Sequence, residues 1–119
     1  MKNPHFSFII LTFNEEIHLP RLLKSLAFLN AEIFILDSGS SDRTLEIAKE
    51  HNAVVEYHAF ENHPKQWDNA IRTFPVKTPW VIGLDADQFL SNELLAHLQK
   101  FNPDLYQGVD GIYFNRKNY

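Results

Sequence analysis

The chain has 119 residues, no cysteine and a formal net charge of −4. At that length one domain is the working reading, the acidic balance gives no general field to hold a nucleic-acid backbone, and the missing thiols exclude both a disulfide framework and cysteine catalysis. Hydrophobic residues at 45% and charged residues at 22% lie near globular averages, away from disorder and from a membrane span.

Met1 to His5 lead into only a short apolar run, and a cytoplasmic setting fits. Phe6 to Phe13 (FSFIILTF) is almost unbroken in apolar character and rich in aromatic and β-branched residues. It predicts a central parallel strand buried on both faces. Leu19, Leu22, Leu23, Leu26 and Leu29 follow at three- and four-residue intervals, and Pro20 fits only a first turn, so a helix begins between Ile17 and Leu19. Glu32 to Asp37 (EIFILD) repeats the strand pattern, and Ser41-Asp42 offers capping oxygens to a helix through Leu45, Ile47 and Ala48.

Ala53 to Tyr57 predicts a third strand, Asn62-His63-Pro64 a loop and Gln66 to Phe74 a short helix. Trp80 to Leu84 (WVIGL) predicts a fourth strand running into Asp85-Ala86-Asp87. Ser91 caps a helix through Leu94, Leu95 and Leu98, and Gly111 to Phe114 predicts a fifth strand. Strands alternating with helices give an α/β fold, one domain over residues 1–119, with an open, mostly parallel sheet and helices on both faces.

Ligands of such sheets bind beyond the carboxyl ends of the strands. Thr12, Asn14 and Glu15 follow the first strand, Asp37, Ser38 and Ser40 the second, Asp85 and Asp87 the fourth. Two carboxylates one residue apart at a strand exit suit one hard divalent cation, Mg²⁺ or Mn²⁺, which would bridge to a diphosphate; a solvated turn is the plain alternative. Asp37 is either a helix-capping or turn residue or an acceptor for a base N–H or a ribose hydroxyl. Thr12 and Asn14 are turn formers or part of a nucleoside site, and Glu15 is also a favourable charge at a helix start. Ser41 and Asp42 read as caps rather than ligand contacts. Lys65 is the cation of the loop before the fourth strand, solvent-exposed or near a phosphate. The six histidines show no metal-ligand spacing and read as structural or surface residues.

Three segments in order, Ile9 to Glu16 (IILTFNEE), Ile35 to Thr44 (ILDSGSSDRT) and Trp80 to Asp87 (WVIGLDAD), resemble the family 2 glycosyltransferases of the GT-A fold. The likeness extends to the bacterial members that build lipopolysaccharide core, capsule and other surface glycans. It implies an inverting, metal-assisted transferase using a nucleotide-diphosphate sugar, with a UDP-sugar as donor and a glycan or lipid-linked acceptor. By this resemblance Thr12, Phe13, Asn14 and Glu15 line the nucleoside pocket, Asp37 contacts the base, and Asp85 holds the ribose or base. Asp87 binds the metal with Asp85, and Lys65 or Gln66 approaches the phosphates in a segment through Asn69 that closes over the nucleotide.

The family keeps its catalytic base and acceptor elements in a second half. Asp104 and Asp110 come too early in the chain for that base, so no catalytic residue is assigned and the chain is expected to be the truncated, donor-binding part of a longer enzyme. Peripheral association with the inner membrane face in the longer enzyme, and self-association through an uncovered sheet edge, are further expectations. A non-catalytic nucleotide-binding remnant is the main alternative. A response-regulator receiver would need paired acids after the first strand and a phosphoacceptor after the third, where this chain has Ala59-Phe60-Glu61. A pyrophosphorylase and a Rossmann dehydrogenase both need glycines near the first strand, and Gly39 is the first in the chain.

Overall fold

The structure, a computed structural model, describes residues 6–78, 80–86 and 112–113. Among these residues five strands and three α-helices follow in order: β1 (Phe6–Thr12), α1 (Leu19–Leu26), which runs into a short 3-10 turn (Ala27–Leu29), β2 (Glu32–Asp37), α2 (Thr44–Glu50), β3 (Val54–Tyr57), α3 (His63–Thr73), β4 (Trp80–Asp85) and β5 (Ile112–Tyr113). The sheet order is β3-β2-β1-β4-β5, and every pairing is parallel. This is the open α/β sheet that the alternating pattern predicts. Asp87, the helix expected after Ser91, Asp104, Asp110 and the flanks of the fifth strand lie outside the described residues.

All seven residues of β1 are buried, because the strand pairs with β2 and β4 and carries helices on both faces. Its even-numbered apolar residues, Phe6, Phe8 and Ile10, join Leu19, Leu22, Leu23 and Leu26 of α1 and Ile47 and Ala48 of α2. Ile9 and Leu11 join Phe34, Leu36, Ala70 and Phe74 on the opposite face, beneath α3. The period of two along a strand assigns the two faces, and each fully buried large apolar side chain contributes about 1.5–3 kcal/mol. Ser7 breaks the apolar run without cost, since its hydroxyl is hydrogen-bonded to that of Thr78 at 2.9 Å.

Pro20 stands at the start of α1, as its ring requires. The helix expected from Gln66 begins three residues earlier. His63 and Pro64 form its first turn, Pro64 sits where no N–H is needed, and the Asn62 side chain caps it by accepting from the Lys65 N–H at 2.9 Å. The loop expected at Asn62-His63-Pro64 is therefore a helix start. Among the described residues no helix is long and apolar enough to cross a membrane.

Candidate functional site

The chain runs from β1 outward to β3, then returns over the other face to β4. The progression thus reverses between β1 and β4, which opens a crevice at their carboxyl ends. Thr12 pairs in register with Asp37, and Leu11 with Asp85. Three strand exits therefore lie side by side, and the Ala86 N–H donates to the Leu11 carbonyl at 3.3 Å just past β4.

Asp37 is 1% exposed. Its Oδ1 accepts from the Thr12 hydroxyl at 2.7 Å and the Ser40 hydroxyl at 2.6 Å, and its Oδ2 from the Gly39 N–H at 2.8 Å and the Ser40 N–H at 2.7 Å. Four donors fill the usual capacity of a carboxylate, so the burial is compensated and the turn after β2 is fixed to the end of β1. Gly39 takes φ 110°, a conformation that side chains disfavour.

The loops after β1 and β2 are laced together. The N–H groups of Asn14, Glu15 and Glu16 donate to Ser40 Oγ at 2.8 Å, Thr44 Oγ1 at 2.8 Å and Asp42 Oδ2 at 3.2 Å, and the Ser41 N–H returns to Asn14 Oδ1 at 2.8 Å. Asn14 adopts the left-handed region (φ 51°) that aspartic and asparaginyl residues tolerate. Asp42 also accepts the Thr44 N–H at 2.9 Å. It thus caps α2 as expected, from one residue before the formal cap, whereas the described contact of Ser41 runs through its backbone. Burial raises the Asp42 pKa, but the hydrogen bonds from Thr44 and Glu16 outweigh it and hold the carboxyl below its ordinary value of 3.8.

Phe13, Ser38, Ala59 and Phe60 line a cleft of about 610 Å³ over the ends of β1, β2 and β3. Phe13 and Phe60 are 56% and 51% exposed. Two half-exposed aromatic rings beside hydroxyl and backbone polar groups suit a planar, partly polar ligand. Thr12, Phe13, Asn14, Glu15 and Asp37 are brought together at this edge, and Asp85 lies half-buried at the adjoining exit of β4. Lys65 stands apart from the cleft walls in the first turn of α3, its ammonium paired with Glu61 at 2.9 Å; the bond and charge of Lys65 hold the Glu61 carboxyl below its usual range.

Phe60 escaped the sequence reading. It follows a short strand in a segment without a polar motif, and only the fold brings it opposite Phe13. Gln66, which the resemblance places with Lys65 near the phosphates, is 1% exposed. Its side chain contacts Ser38 and His58, a pairing that the sequence does not foretell. Among the described residues no group of three or more His, Cys, Asp or Glu converges as a metal site.

The family model for glycosyl transferase family 2 matches residues 7–118. A 4,4′-diaponeurosporenoate glycosyltransferase of Staphylococcus haemolyticus is 34% identical over 89% of this chain, and an uncharacterized glycosyltransferase of Rickettsia typhi is 32% identical over 78% of it. In each case the match takes in 31% of the relative, so the chain spans about a third of the length of these curated relatives. Among solved structures, mannosyl-3-phosphoglycerate synthase from Rubrobacter xylanophilus superposes with a TM-score of 0.67 at 18% identity, covering 87% of this chain and 37% of that one. Glucosyl-3-phosphoglycerate synthase from Mycobacterium tuberculosis, solved with Mn²⁺, uridine diphosphate and glucosyl-3-phosphoglycerate, gives 0.61 at 20% identity, covering 73% and 35%. The fold is that of these enzymes.

Proposed function

We propose, on the premise that the chain belongs to glycosyl transferase family 2, that its strand exits hold the donor of an inverting transfer from a nucleoside diphosphate sugar, with uridine diphosphate as the carrier. The observation that carries this reading is the cleft walled by Phe13, Ser38, Ala59 and Phe60 at the carboxyl edge of a parallel sheet, where such folds bind nucleotides. The uridine diphosphate and Mn²⁺ bound by the mycobacterial synthase support the same reading.

In it, Phe13 meets the face of the base, while Thr12 at the end of β1 and Asn14 and Glu15 in the loop after it bound the nucleoside. Asp37, buried with its acceptor sites filled, acts from beneath the cleft: its three bonds to Gly39 and Ser40 fix the 38–40 turn, and its bond from Thr12 ties that turn to β1, which together shape the polar wall offered to the base or ribose. Asp85 takes the ribose or base from the β4 side. Lys65 meets the phosphates by exchanging its exposed partner Glu61, a pair worth little in solvent. The acceptor is a glycan or lipid-linked hydroxyl, which attacks the sugar carbon in line as the diphosphate leaves and gives its proton to a carboxylate; no residue is assigned to that base here. The cytoplasmic setting implied by the sequence, at the inner membrane face in the longer enzyme, belongs to the same proposal.

The donor set suits Mg²⁺ or Mn²⁺. Asp85 is a hard oxygen ligand at a strand exit beside the site, and such cations commonly use one or two protein carboxylates with substrate phosphates rather than an all-protein cage. Asp85 and Asp87 would hold the ion, which when bound stabilises the charge developing on the diphosphate as a Lewis acid.

Calorimetric titration of uridine diphosphate, with and without Mn²⁺, on wild type and Asp87→Ala tests the reading. Metal-dependent binding that disappears in the variant is expected. A folded wild type that binds no nucleotide at millimolar concentration overturns it.

A further inference from the structure

Gln66 of α3 is a buried polar residue, at 1% exposure. Its amide makes three contacts, all to segments that wall the cleft. Nε2 donates to Ser38 Oγ at 3.2 Å and to the His58 carbonyl at 3.1 Å, and Oε1 lies 3.1 Å from His58 Nδ1. The His58 carbonyl can only accept, so the amide nitrogen must face it, and the amide oxygen must face the ring. His58 Nδ1 therefore carries the hydrogen. One side chain thus fixes Ser38, just past β2, and His58, just past β3 and next to Ala59 and Phe60. The His58 N–H donates to the Asp37 carbonyl at 3.0 Å, which ties the same segment to the turn after β2.

We propose that Gln66 is the positioning residue of the nucleoside cleft: its buried amide sets the spacing between the Ser38 wall and the Ala59-Phe60 wall, and so determines which base fits between them. This role rests on the nucleotide reading above. It follows from chemistry that an apolar side chain cannot supply. Without the amide, the His58 carbonyl and the Ser38 hydroxyl lose a buried donor together, and each then seeks water or a new partner. With Nε2 bound to one lone pair of Ser38 Oγ, the serine O–H is also left to donate elsewhere, and Ser38 lines the cleft.

The test compares wild type, Gln66→Met and Gln66→Glu. Methionine keeps the length of the side chain, and glutamate keeps the oxygen beside His58 Nδ1 but cannot donate to Ser38 or His58. Affinities for uridine, cytidine and adenosine diphosphates are measured by calorimetry, and the His58 tautomer is read from its ¹⁵N ring shifts. Wild type is expected to prefer one base and to show protonated Nδ1. Gln66→Met is expected to weaken that nucleotide about tenfold or more, the scale of a lost buried hydrogen bond, to bring the base ratios toward unity and to release the Nδ1 tautomer. A purely structural residue would lower the melting temperature and leave the base ratios alone. If Gln66→Met fails to fold, Gln66→Glu decides by the same base ratios. Unchanged affinity and base preference in a folded variant overturn the role while leaving the nucleotide site standing. A wild type that binds no nucleotide removes that site, and the positioning role with it.

Discussion

The Thr12 hydroxyl donates to Asp37 Oδ1 at 2.7 Å, a buried bond between residues 25 apart in sequence that lie opposite each other in the β1–β2 register. The strand pairing brings them together, and the hydrogen bond turns two neighbouring strand ends into one platform. Thr12→Val keeps the shape of the side chain and removes the donor. It is expected to cost about 1.5–3 kcal/mol, the range for hydrogen bonds to carboxylates, whereas Thr12→Ser retains most of the stability. Urea unfolding measures both, and a Thr12→Val loss within error of zero would count against a role for this bond.

Gly39 is held at φ 110°, and a Cβ built there would lie 3.3 Å from Tyr57 Cε1. Tyr57 is 67% exposed, so its ring can yield. The backbone cannot, because both the Gly39 and Ser40 N–H groups are bound to Asp37. Gly39→Ala is therefore expected to destabilise by about 1–2 kcal/mol, the scale of backbone strain in left-handed space. Most of that loss should persist in a Tyr57→Ala background. Thermal melts of the two single variants and the double variant separate strain from contact; full recovery in the double variant would assign the cost to the ring instead.

The strands were readable because burial on both faces leaves a continuous apolar run, as in FSFIILT of β1. The leucine spacing of α1 was readable for the same reason, since one face packs on the sheet. The start of α3 was not, because Asn62-His63-Pro64 also has the composition of a loop; the Asn62 side chain accepting from the Lys65 N–H and its carbonyl accepting from the Gln66 N–H together mark a helix start. At the site, Thr12, Asp37 and Asp85 were legible as polar residues ending apolar strands. Phe60 and the contacts of Gln66 were not, because they depend on which strand lies next to which. That adjacency, β3 beside β2 and α3 across the opposite face, is a property of topology and leaves no local signal.

Asp42 gives a pH dependence whose sign is fixed by its environment. Its carboxyl titrates below the ordinary 3.8 in the folded chain, against the effect of burial, because the hydrogen bonds from Thr44 and Glu16 favour the charged form. A depressed folded value means that the contribution to stability is fully present well above 3.8 and is lost as the pH falls through the folded value. Wild type should therefore exceed Asp42→Asn in stability at neutral pH by a margin that shrinks on acidification below 3.8. Denaturant midpoints of the two proteins across that range measure it, and a margin that grew on acidification would reverse the assigned sign.

Phe60 provides a test of the cleft that is independent of metal. The ring is 51% exposed, so Phe60→Ala removes little packing and the fold should hold. If the cleft takes a nucleobase, truncation removes an aromatic surface against which the base lies. Base–aromatic stacking is worth about 1–3 kcal/mol by alanine substitution, equivalent to a fivefold to roughly hundredfold loss of affinity. Phe28→Ala is the matched control: Phe28 is 52% exposed and stands in the turn after α1, which leads into the start of β2 at the opposite edge of the sheet. Uridine diphosphate binding is expected to weaken in Phe60→Ala and to stay unchanged in Phe28→Ala, with both variants melting cooperatively. Equal affinities in all three proteins would move the base away from Phe60 and leave Phe13 as the remaining aromatic wall.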